Sequence, residues 1–422
     1  GLDSYNPNNT NLNTAYNITP ADILAGSVTF TLSSTNNGAC PVVIDTVKIS
    51  ITTLAVVSAG PNQFICSNAS AINLNGSIVG ASGTGVWTSN GTGSYNPGNT
   101  TLNAAYNISA GDISAGSVTF TLTSLNNGPC PAVTDSVRIN IGLLATVNAG
   151  PNLSLCSTAG TVSLSGSING ITTTGFWTSS GNGGYNPNNT NLITSYIISP
   201  TDIIAGSVTF TLASTNNGPC PIVTDTVKVL ITTIASVNAG PNQNICSNSG
   251  AINLNGMVSG VSGNGMWTSS GSGTYTPNNT TLNASYSITT TDITNGFVTF
   301  TLTSLNNGAC PAVSDSVRIR ITTIAAVNAG PSKLICSSTG TISLNGTISG
   351  STNTGVWTTN GTGPFVPSST SLNNTYFITV SDVAAGVVTF TLSSTNNGVC
   401  PAVMDTLLLT IDQAATVYAG PN

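Results

Sequence analysis

Hydrophobic and polar residues alternate strictly along short segments of this chain. In Ser117 to Ser124, Val118, Phe120 and Leu122 take every second position and polar residues take the others. Asp135 to Ile141 alternates in the same way. A period of two, with threonine and aliphatic side chains in turn, is typical of strands that bury one face. Each segment therefore predicts a half-buried β-strand.

Further strands are predicted around these two, within residues 54 to 143. Glycine, asparagine and proline, which favour turns, separate them. Six or seven strands in about 90 residues indicate a β-sandwich, so the predicted fold class is all-β. The additional strands are Leu54 to Cys66 with a kink at Gly60–Pro61, Ala71 to Ser77, Gly85 to Asn90, and Leu102 to Ile108.

The whole pattern returns with a period of 90 residues, which indicates a tandem array of similar small domains. One tryptophan marks each copy: Trp87, Trp177, Trp267 and Trp357. Cysteines recur in two registers: Cys40, Cys130, Cys220, Cys310 and Cys400, and Cys66, Cys156, Cys246 and Cys336. The predicted domains are residues 1–53 (the C-terminal part of a repeat), the repeats 54–143, 144–233, 234–323 and 324–413, and residues 414–422 (the start of the next).

Part of a repeat cannot bury its own core, so we expect the natural polypeptide to continue in both directions. The predicted linkers, around Thr52-Thr53 and Thr232-Thr233, are only a few residues long and lack glycine-serine runs. Short linkers of this kind favour a fairly stiff rod over a flexible chain.

A short helical turn is predicted between the fourth and fifth strands. Ser199, Pro200 and Asp202 supply an N-cap, a proline at the first helical position and an acidic third residue, and Gly206 follows as a stop. We expect the equivalent aspartates to hold the same turn in every copy: Asp22, Asp112, Asp202, Asp292 and Asp382.

Charged residues are scarce, at 18 of 422, with no histidine and no glutamate. The net charge of −6 argues against binding nucleic acid or an anionic membrane surface, because both call for clustered Lys and Arg. No apolar run is long enough to predict membrane insertion. General acid–base catalysis needs titratable pairs that this composition hardly provides, so we expect no enzyme, no cofactor and no metal site.

Cysteines spaced in this way, without histidine, predict disulfides and an oxidising, extracellular setting. Two pairings fit the spacing. Pairing within each repeat would join Cys66–Cys130, Cys156–Cys220, Cys246–Cys310 and Cys336–Cys400. Pairing of the Cys40–Cys66 type would cross a repeat boundary. We favour the first, because every repeat would then close its own disulfide, although the two cysteines could lie at opposite ends of the sandwich.

The aromatic residues offer two candidate contact surfaces. The four tryptophans could stack on sugars, but one tryptophan on the third strand of such a sandwich is typical of a core, and we assign them there. An exposed tyrosine series beside a proline is the better candidate for surface contact: Tyr5, Tyr95, Tyr185 and Tyr275, followed by Phe365.

The chain resembles a known family along most of its length. The segments "VNAGPNQNIC" (Val237 to Cys246), "INLNG" (Ile252 to Gly256) and "WTSSGSG" (Trp267 to Gly273) resemble PKD-type immunoglobulin-like domains. With cysteines added, the array resembles the tandem repeats of giant Bacteroidota surface proteins. That resemblance implies type IX secretion and a role as adhesin, gliding filament or extracellular appendage. The acidic residue of the family's "GDG" is absent here, so the resemblance implies no calcium site.

The resemblance also bears on a second aspartate register. Each last strand begins Asp–Ser/Thr–aliphatic, which matches the O-glycosylation motif of exported proteins in that phylum, and the alternation turns the hydroxyl outward. The alternative is that the aspartate only begins the strand after a turn. The predicted glycosylation sites are Thr46, Ser136, Thr226, Ser316 and Thr406.

These observations predict a non-catalytic structural region, a stalk or filament, of a very large secreted or cell-surface bacterial adhesin. The alternative is an accessory carbohydrate-binding array of a secreted enzyme. Predicted partners are further repeats of the same chain, other copies of the chain in a multichain fibre, and host or prey surface glycans. The predicted location is extracellular or at the cell surface.

Overall fold

The structure is a computed structural model that describes residues 5–80, 83–261 and 263–420. The predicted partial repeats at both ends extend past these bounds, and Gly1–Ser4 and 421–422 lie outside the described residues. Strands dominate the described chain, and its α-helices are single turns of six residues. The all-β prediction is confirmed.

The repeat 54–143 contains a four-stranded sheet around a long hairpin. The hairpin strands Ser117–Leu125 and Thr134–Gly142 pair antiparallel. Thr84–Ser89, which carries the tryptophan, pairs antiparallel with the first hairpin strand. Gln63–Cys66 pairs parallel with the second, with Cys66 opposite Gly142. The last strand of the repeat therefore lies inside the sheet, between two neighbours.

The opposing layer consists of two smaller sheets. Ser94–Asn96, Ala105–Asn107 and Ala71–Asn73 form a three-stranded sheet in that order. Val56–Ser58 pairs with Ser77–Val79. The single first strand predicted over Leu54 to Cys66 is therefore two strands that join different sheets. The break falls at the predicted kink, because Pro61 has no amide hydrogen and Gly60 adopts a φ of 85°.

The core of this repeat consists of side chains that alternate along the strands. Val118, Phe120 and Leu122 from one hairpin strand are fully buried, as the alternation predicts. Trp87 and Tyr106 cover them from the neighbouring strand and the opposing layer. The rings of Tyr106 and Phe120 meet edge to face with centroids 4.8 Å apart, a preferred aromatic geometry.

The later repeats have the same elements. Residues 144–233 contain Thr146–Asn148, Leu153–Cys156, Thr161–Ser165, Ser167–Asn169, Gly175–Ser179, Gly184–Asn186, Ile193–Ile197, Ser207–Ser214, Thr224–Thr232 and the helix Pro200–Ala205. Residues 234–323 contain Ser236–Asn238, Gln243–Cys246, Ala251–Asn253, Met257–Ser259, Gly265–Ser269, Thr274–Thr276, Ser285–Ser287, Phe297–Ser304, Ser314–Thr322 and the helix Thr290–Asn295. Residues 324–413 contain Ala326–Asn328, Lys333–Cys336, Thr341–Asn345, Thr347–Ser349, Thr354–Thr359, Phe365–Val366, Asn373–Phe377, Val387–Thr395, Met404–Asp412 and the helix Val380–Ala385.

The predicted helical turn is confirmed. In the helix Ala110–Ala115, the Ser109 hydroxyl accepts a hydrogen bond from the Asp112 amide at 3.1 Å. The Asp112 carboxylate accepts one in return from the Ser109 amide at 2.9 Å. This reciprocal pair is a capping box, and Gly116 ends the turn with a left-handed φ of 71°.

Residues 5–53 contain only the later elements of a repeat. These are the strands Tyr5–Asn6, Ala15–Tyr16, Ser27–Ser33 and Ile44–Ser50 and the helix Pro20–Ala25. Their apolar face borders an open trough of about 580 Å³, lined by Tyr5, Tyr16, Phe30, Leu32, Val47 and Ile49 among others.

By their contacts, the residues group into two compact units. The first comprises Gly1–Leu153, Thr161–Ser199 and Val208–Val229. The second comprises Ser154–Gly160, Pro200–Ser207 and Leu230–Asn422.

Candidate functional site

The described part of the chain contains three disulfides, and each joins one repeat to the next. The pairs are Cys66–Cys220, Cys156–Cys310 and Cys246–Cys400. All three have the same sequence separation of 154 residues, and their Cα atoms lie 4.6 to 4.9 Å apart, within the normal range. The junction between consecutive repeats is therefore the most distinctive chemical feature of the chain.

The predicted pairing within a repeat is wrong. Cys66 lies opposite Gly142, at the exit end of the last strand, where the next repeat begins. Cys130 lies before the start of that strand, and its sulfur is 3.4 Å from the Thr52 carbonyl of the preceding segment. A nine-residue strand is about 30 Å long, far more than a disulfide can bridge. The corrections apply to Cys66–Cys130, Cys156–Cys220, Cys246–Cys310 and Cys336–Cys400.

Among the described residues, Cys40, Cys130 and Cys336 form no disulfide. Cys40 and Cys336 are exposed, whereas Cys130 is half-buried. Hydrogen bonds from Ser338, first from its hydroxyl and then from its amide, lower the pKa of the Cys336 thiol. The prediction that Cys130 and Cys336 are disulfide-bonded within their own repeats is thus also wrong.

A serine next to each strand-end cysteine reinforces the junction. The Ser67 amide donates to the Gly142 carbonyl at 2.8 Å, and its hydroxyl accepts from the Leu144 amide at 2.9 Å. Ser247 accepts from Ile324 at 3.0 Å and Ser337 from Ala414 at 2.8 Å in the same way. Our sequence reasoning missed these serines, although the recurring Cys-Ser dipeptide was the available signal.

Side chains also touch across the junction at Gly142. Phe64 is exposed along much of its surface, but its ring approaches both Gly142 and Gly218. A Cβ built on Gly142 would come within 2.3 Å of Ile171 and 3.0 Å of Phe64, so glycine permits the two repeats to approach here. The Ile171 amide also donates to the Leu143 carbonyl at 2.9 Å.

The second aspartate register has a structural role that the sequence did not reveal. The Asp135 carboxylate accepts a hydrogen bond from the Ala59 amide at 2.8 Å, across 76 residues of chain. Asn62, from the same recurring phrase, accepts from the Arg138 amide at 2.8 Å. Asp225, Asp315 and Asp405 repeat the first bond at the same distance. These contacts fix the start of each repeat to its last strand.

The hydroxyl residues that follow these aspartates are exposed in all five copies: Thr46, Ser136, Thr226, Ser316 and Thr406. In two copies the serine also shares a hydrogen bond with the adjacent strand, with Ser136 and Thr121 oxygens 2.8 Å apart. Glycosylation of these residues stays a prediction.

The tryptophans and tyrosines differ in their surroundings. Trp87, Trp177, Trp267 and Trp357 are at most 1% exposed, and the Trp87 indole donates to the Leu102 carbonyl at 3.0 Å. They are core residues and offer no sugar platform. The expected exposed series is also wrong: Tyr95 is half-buried and its ring lies 5.2 Å from that of Tyr106. Burial raises the pKa of Tyr95.

A buried tyrosine–aspartate pair connects the helical turn to the sheets. In repeat 324–413, the Tyr376 hydroxyl donates to Asp382 at 2.9 Å and accepts from the Gly363 amide at 2.7 Å. Burial raises the pKa of Tyr376 to about 12. Burial alone would also raise the pKa of Asp382, but backbone amides of Thr379 and Thr362 hold it below its usual value. The arrangement stabilises a charged carboxylate and a neutral phenol, which suits structure.

Two searches of the described residues complete the site. No group of three or more Cys, Asp, Glu or His side chains lies close enough to hold a metal ion in the ranges 5–80, 83–261 and 263–420. In the same ranges, no helix has the length and hydrophobicity needed to cross a bilayer.

No protein-family model matches the chain, and no curated protein matches it. Solved structures do match. Sidekick-1 immunoglobulin domains 1–5 share 12% identity, with a TM-score of 0.33, over 88% of this chain and 84% of that one. The titin I-band fragment I67–I69 shares 10% identity, with a TM-score of 0.39, over 64% and 98%. The N-terminal eight Ig domains of Down Syndrome Cell Adhesion Molecule share 10%, with a TM-score of 0.38, over 94% and 54%. The tandem β-sandwich assignment rests on the strands of this chain.

Proposed function

We propose that this chain is a structural, non-catalytic repeat region that extends or presents another part of an extracellular protein. The observation that carries the proposal is the disulfide at each described junction, which ties one repeat covalently to the next. Such bonds persist in oxidising compartments, which supports a secreted or surface-exposed setting. A protein whose task is to hold distance benefits from joints that cannot separate.

The finer proposal is a stalk or filament segment of a very large bacterial surface protein, exported by type IX secretion. The resemblance of the recurring "AGPN" and Trp-Thr motifs to giant Bacteroidota repeat proteins supports it. The nearly uncharged surface supports side-by-side packing of several chains, since little electrostatic repulsion opposes it. Expression in a host with and without that secretion route, followed by detection outside the cell, tests the export step.

The structural role is tested in solution with the full chain under oxidising conditions. X-ray scattering is expected to give an elongated particle, about 35–45 Å per repeat from the strand lengths. Light scattering separates a single stalk from a multichain fibre, because a monomer has a mass of 42.2 kDa and a fibre gives multiples. A compact scattering profile would contradict the stalk.

The alternative is a carbohydrate-binding array. The buried tryptophans and half-buried tyrosines give it little support, but exposed threonine and asparagine side chains could still bind glycans. A glycan array probed with the full chain tests this, and specific, saturable binding would favour the alternative over a purely structural role.

We also propose that the five exposed hydroxyls after the last-strand aspartates carry O-linked glycans in the native host. Their exposure and their identical position in each copy support the proposal. Peptides that span Asp135 to Val137, taken from native material, are expected to show added glycan mass. Unmodified masses at all five positions would leave the aspartates with their structural role alone.

A further inference from the structure

We infer that the disulfides form two interleaved covalent ladders that limit how far this chain can be pulled out, even after its repeats unfold. The inference rests on which cysteines pair, and not on the proposed extracellular role. Each disulfide spans 154 residues, which is 26 fewer than two repeats of 90 residues. The bonds therefore overlap along the chain instead of following one another.

The first ladder runs from Cys66 to Cys400. A covalent path crosses from Cys66 to Cys220, follows the backbone to Cys246 and crosses again to Cys400. This path contains 26 residues of backbone (246 minus 220), whereas the backbone alone contains 334 (400 minus 66). Tension applied at the two ends follows the shorter path, because that path becomes taut first.

The second ladder is offset by one repeat and contains the Cys156–Cys310 bond. Cys130 lies 26 residues before it and Cys336 lies 26 residues after it, the same spacing as between Cys220 and Cys246. Cys130 also has the local contacts of a paired cysteine: its sulfur is 3.4 Å from the Thr52 carbonyl, as that of Cys220 is 3.6 Å from the Gly142 carbonyl. The two free thiols thus continue the ladder pattern.

The ladders change what unfolding means for such an array. Noncovalent sandwiches are marginally stable, so sustained force would open them one by one. An extended chain spans at most about 3.3–3.6 Å per residue. Between Cys66 and Cys400, the oxidised chain could then extend to about 90 Å of free backbone, and the reduced chain to about 1,150 Å. Reducing conditions would release the difference.

The test is single-molecule stretching of the full chain, held at both ends in optical tweezers. After complete unfolding, adding dithiothreitol is expected to lengthen the chain by about 1,050 Å, for the 308 residues released (334 minus 26). Pairing within each repeat would instead leave three 26-residue segments free between Cys66 and Cys400 before reduction. An oxidised chain that extends fully would overturn the inference, while the proposal of a structural repeat region would stand.

Paired variants make the test specific. Cys66→Ser with Cys220→Ser breaks the first ladder. Force must then pass through Cys156–Cys310 and back to Cys246, a path of 154 backbone residues (90 plus 64). The oxidised variant is expected to extend about 440 Å further than the parent chain.

The matched control is Cys156→Ser with Cys310→Ser. It removes one disulfide of the same kind but leaves the 26-residue path unchanged, so no change in the oxidised length is expected. Equal lengthening by both double variants would contradict the ladders. Disulfide mapping of each variant by mass spectrometry verifies that the remaining cysteines keep their partners.

Discussion

Residues 5–53 and the repeat 54–143 contain the same later elements but differ in what covers them. The local features agree: a capping box holds the helical turn in both, and the rings of Tyr16 and Phe30 meet at 5.0 Å as Tyr106 and Phe120 do at 4.8 Å. Burial does not agree. Leu32 is 61% exposed, whereas its counterpart Leu122 is 0% exposed.

The same contrast holds along the next strand, where Val47 and Ile49 are exposed while Val137 and Ile139 are buried. The difference teaches that turns, caps and the hairpin follow from nearby sequence. The core needs the first third of a repeat, whose strand Thr84–Ser89 pairs with the hairpin and places Trp87 opposite Leu122. Local structure and burial are therefore supplied by different parts of the repeat.

The largest expected effect comes from removing the tryptophan that covers the core. Trp87→Ala is expected to cost about 3–5 kcal/mol, because it leaves a large cavity beside Phe120 and removes the bond to the Leu102 carbonyl. The hairpin amides of 117–142 should then exchange as fast as those of 27–50. Amide hydrogen exchange with mass spectrometry measures both segments in one sample.

The control is Thr88→Ala on the same strand. Thr88 is exposed, so its loss is expected to change stability by less than about 0.5 kcal/mol and to leave exchange in the hairpin unchanged. If both variants behave alike, the tryptophan is not what separates the two regions.

A smaller effect is expected from the aspartate of the helical turn. Asp112→Ala removes the capping box and the bond from the Thr92 amide at 2.8 Å, and should cost about 1–3 kcal/mol. Asp22→Ala should cost less, because Asp22 is less buried. Local exchange at 110–116 and 20–26 compares the two, and a larger effect at Asp22 would contradict the assignment.

Acid should reduce stability through the same carboxylates. Hydrogen bonds from backbone amides outweigh the opposing effect of burial and lower the pKa values of Asp112, Asp292 and Asp382. A lowered folded pKa gives stability that is present above the unfolded pKa of about 4 and is lost as pH falls through the folded value. Melting temperature should therefore fall below about pH 4, and Asp112→Asn should weaken that dependence.

The smallest effect is expected at the half-buried tyrosine. Tyr275→Phe should change stability by less than about 0.5 kcal/mol, because the chain itself has Phe365 at this position, with its ring 6.2 Å from Phe390. Denaturant unfolding of the full chain measures it. A loss of more than about 1 kcal/mol would show that the Tyr275 hydroxyl has a role that the fifth copy does without.

Local signals in the sequence were sufficient for much of this fold. Alternation predicted the hairpin strands, and the Ser109 and Asp112 pattern predicted the turn, because both depend on neighbouring residues. The disulfide partners could not be predicted, since spacing alone does not reveal at which end of a strand each cysteine lies. The Ala59–Asp135 bond was missed for the same reason: it joins residues 76 positions apart.

The parallel pairing of Gln63–Cys66 with the last strand determines how a reduced repeat would resist being pulled apart. The chain enters that pair at Gln63 and leaves it at Gly142, at opposite ends of two strands that run in the same direction. Pulling on the two ends slides the strands past each other in shear, so the hydrogen bonds between them carry the load together. An antiparallel pair in this place would be loaded one bond at a time, like a zipper.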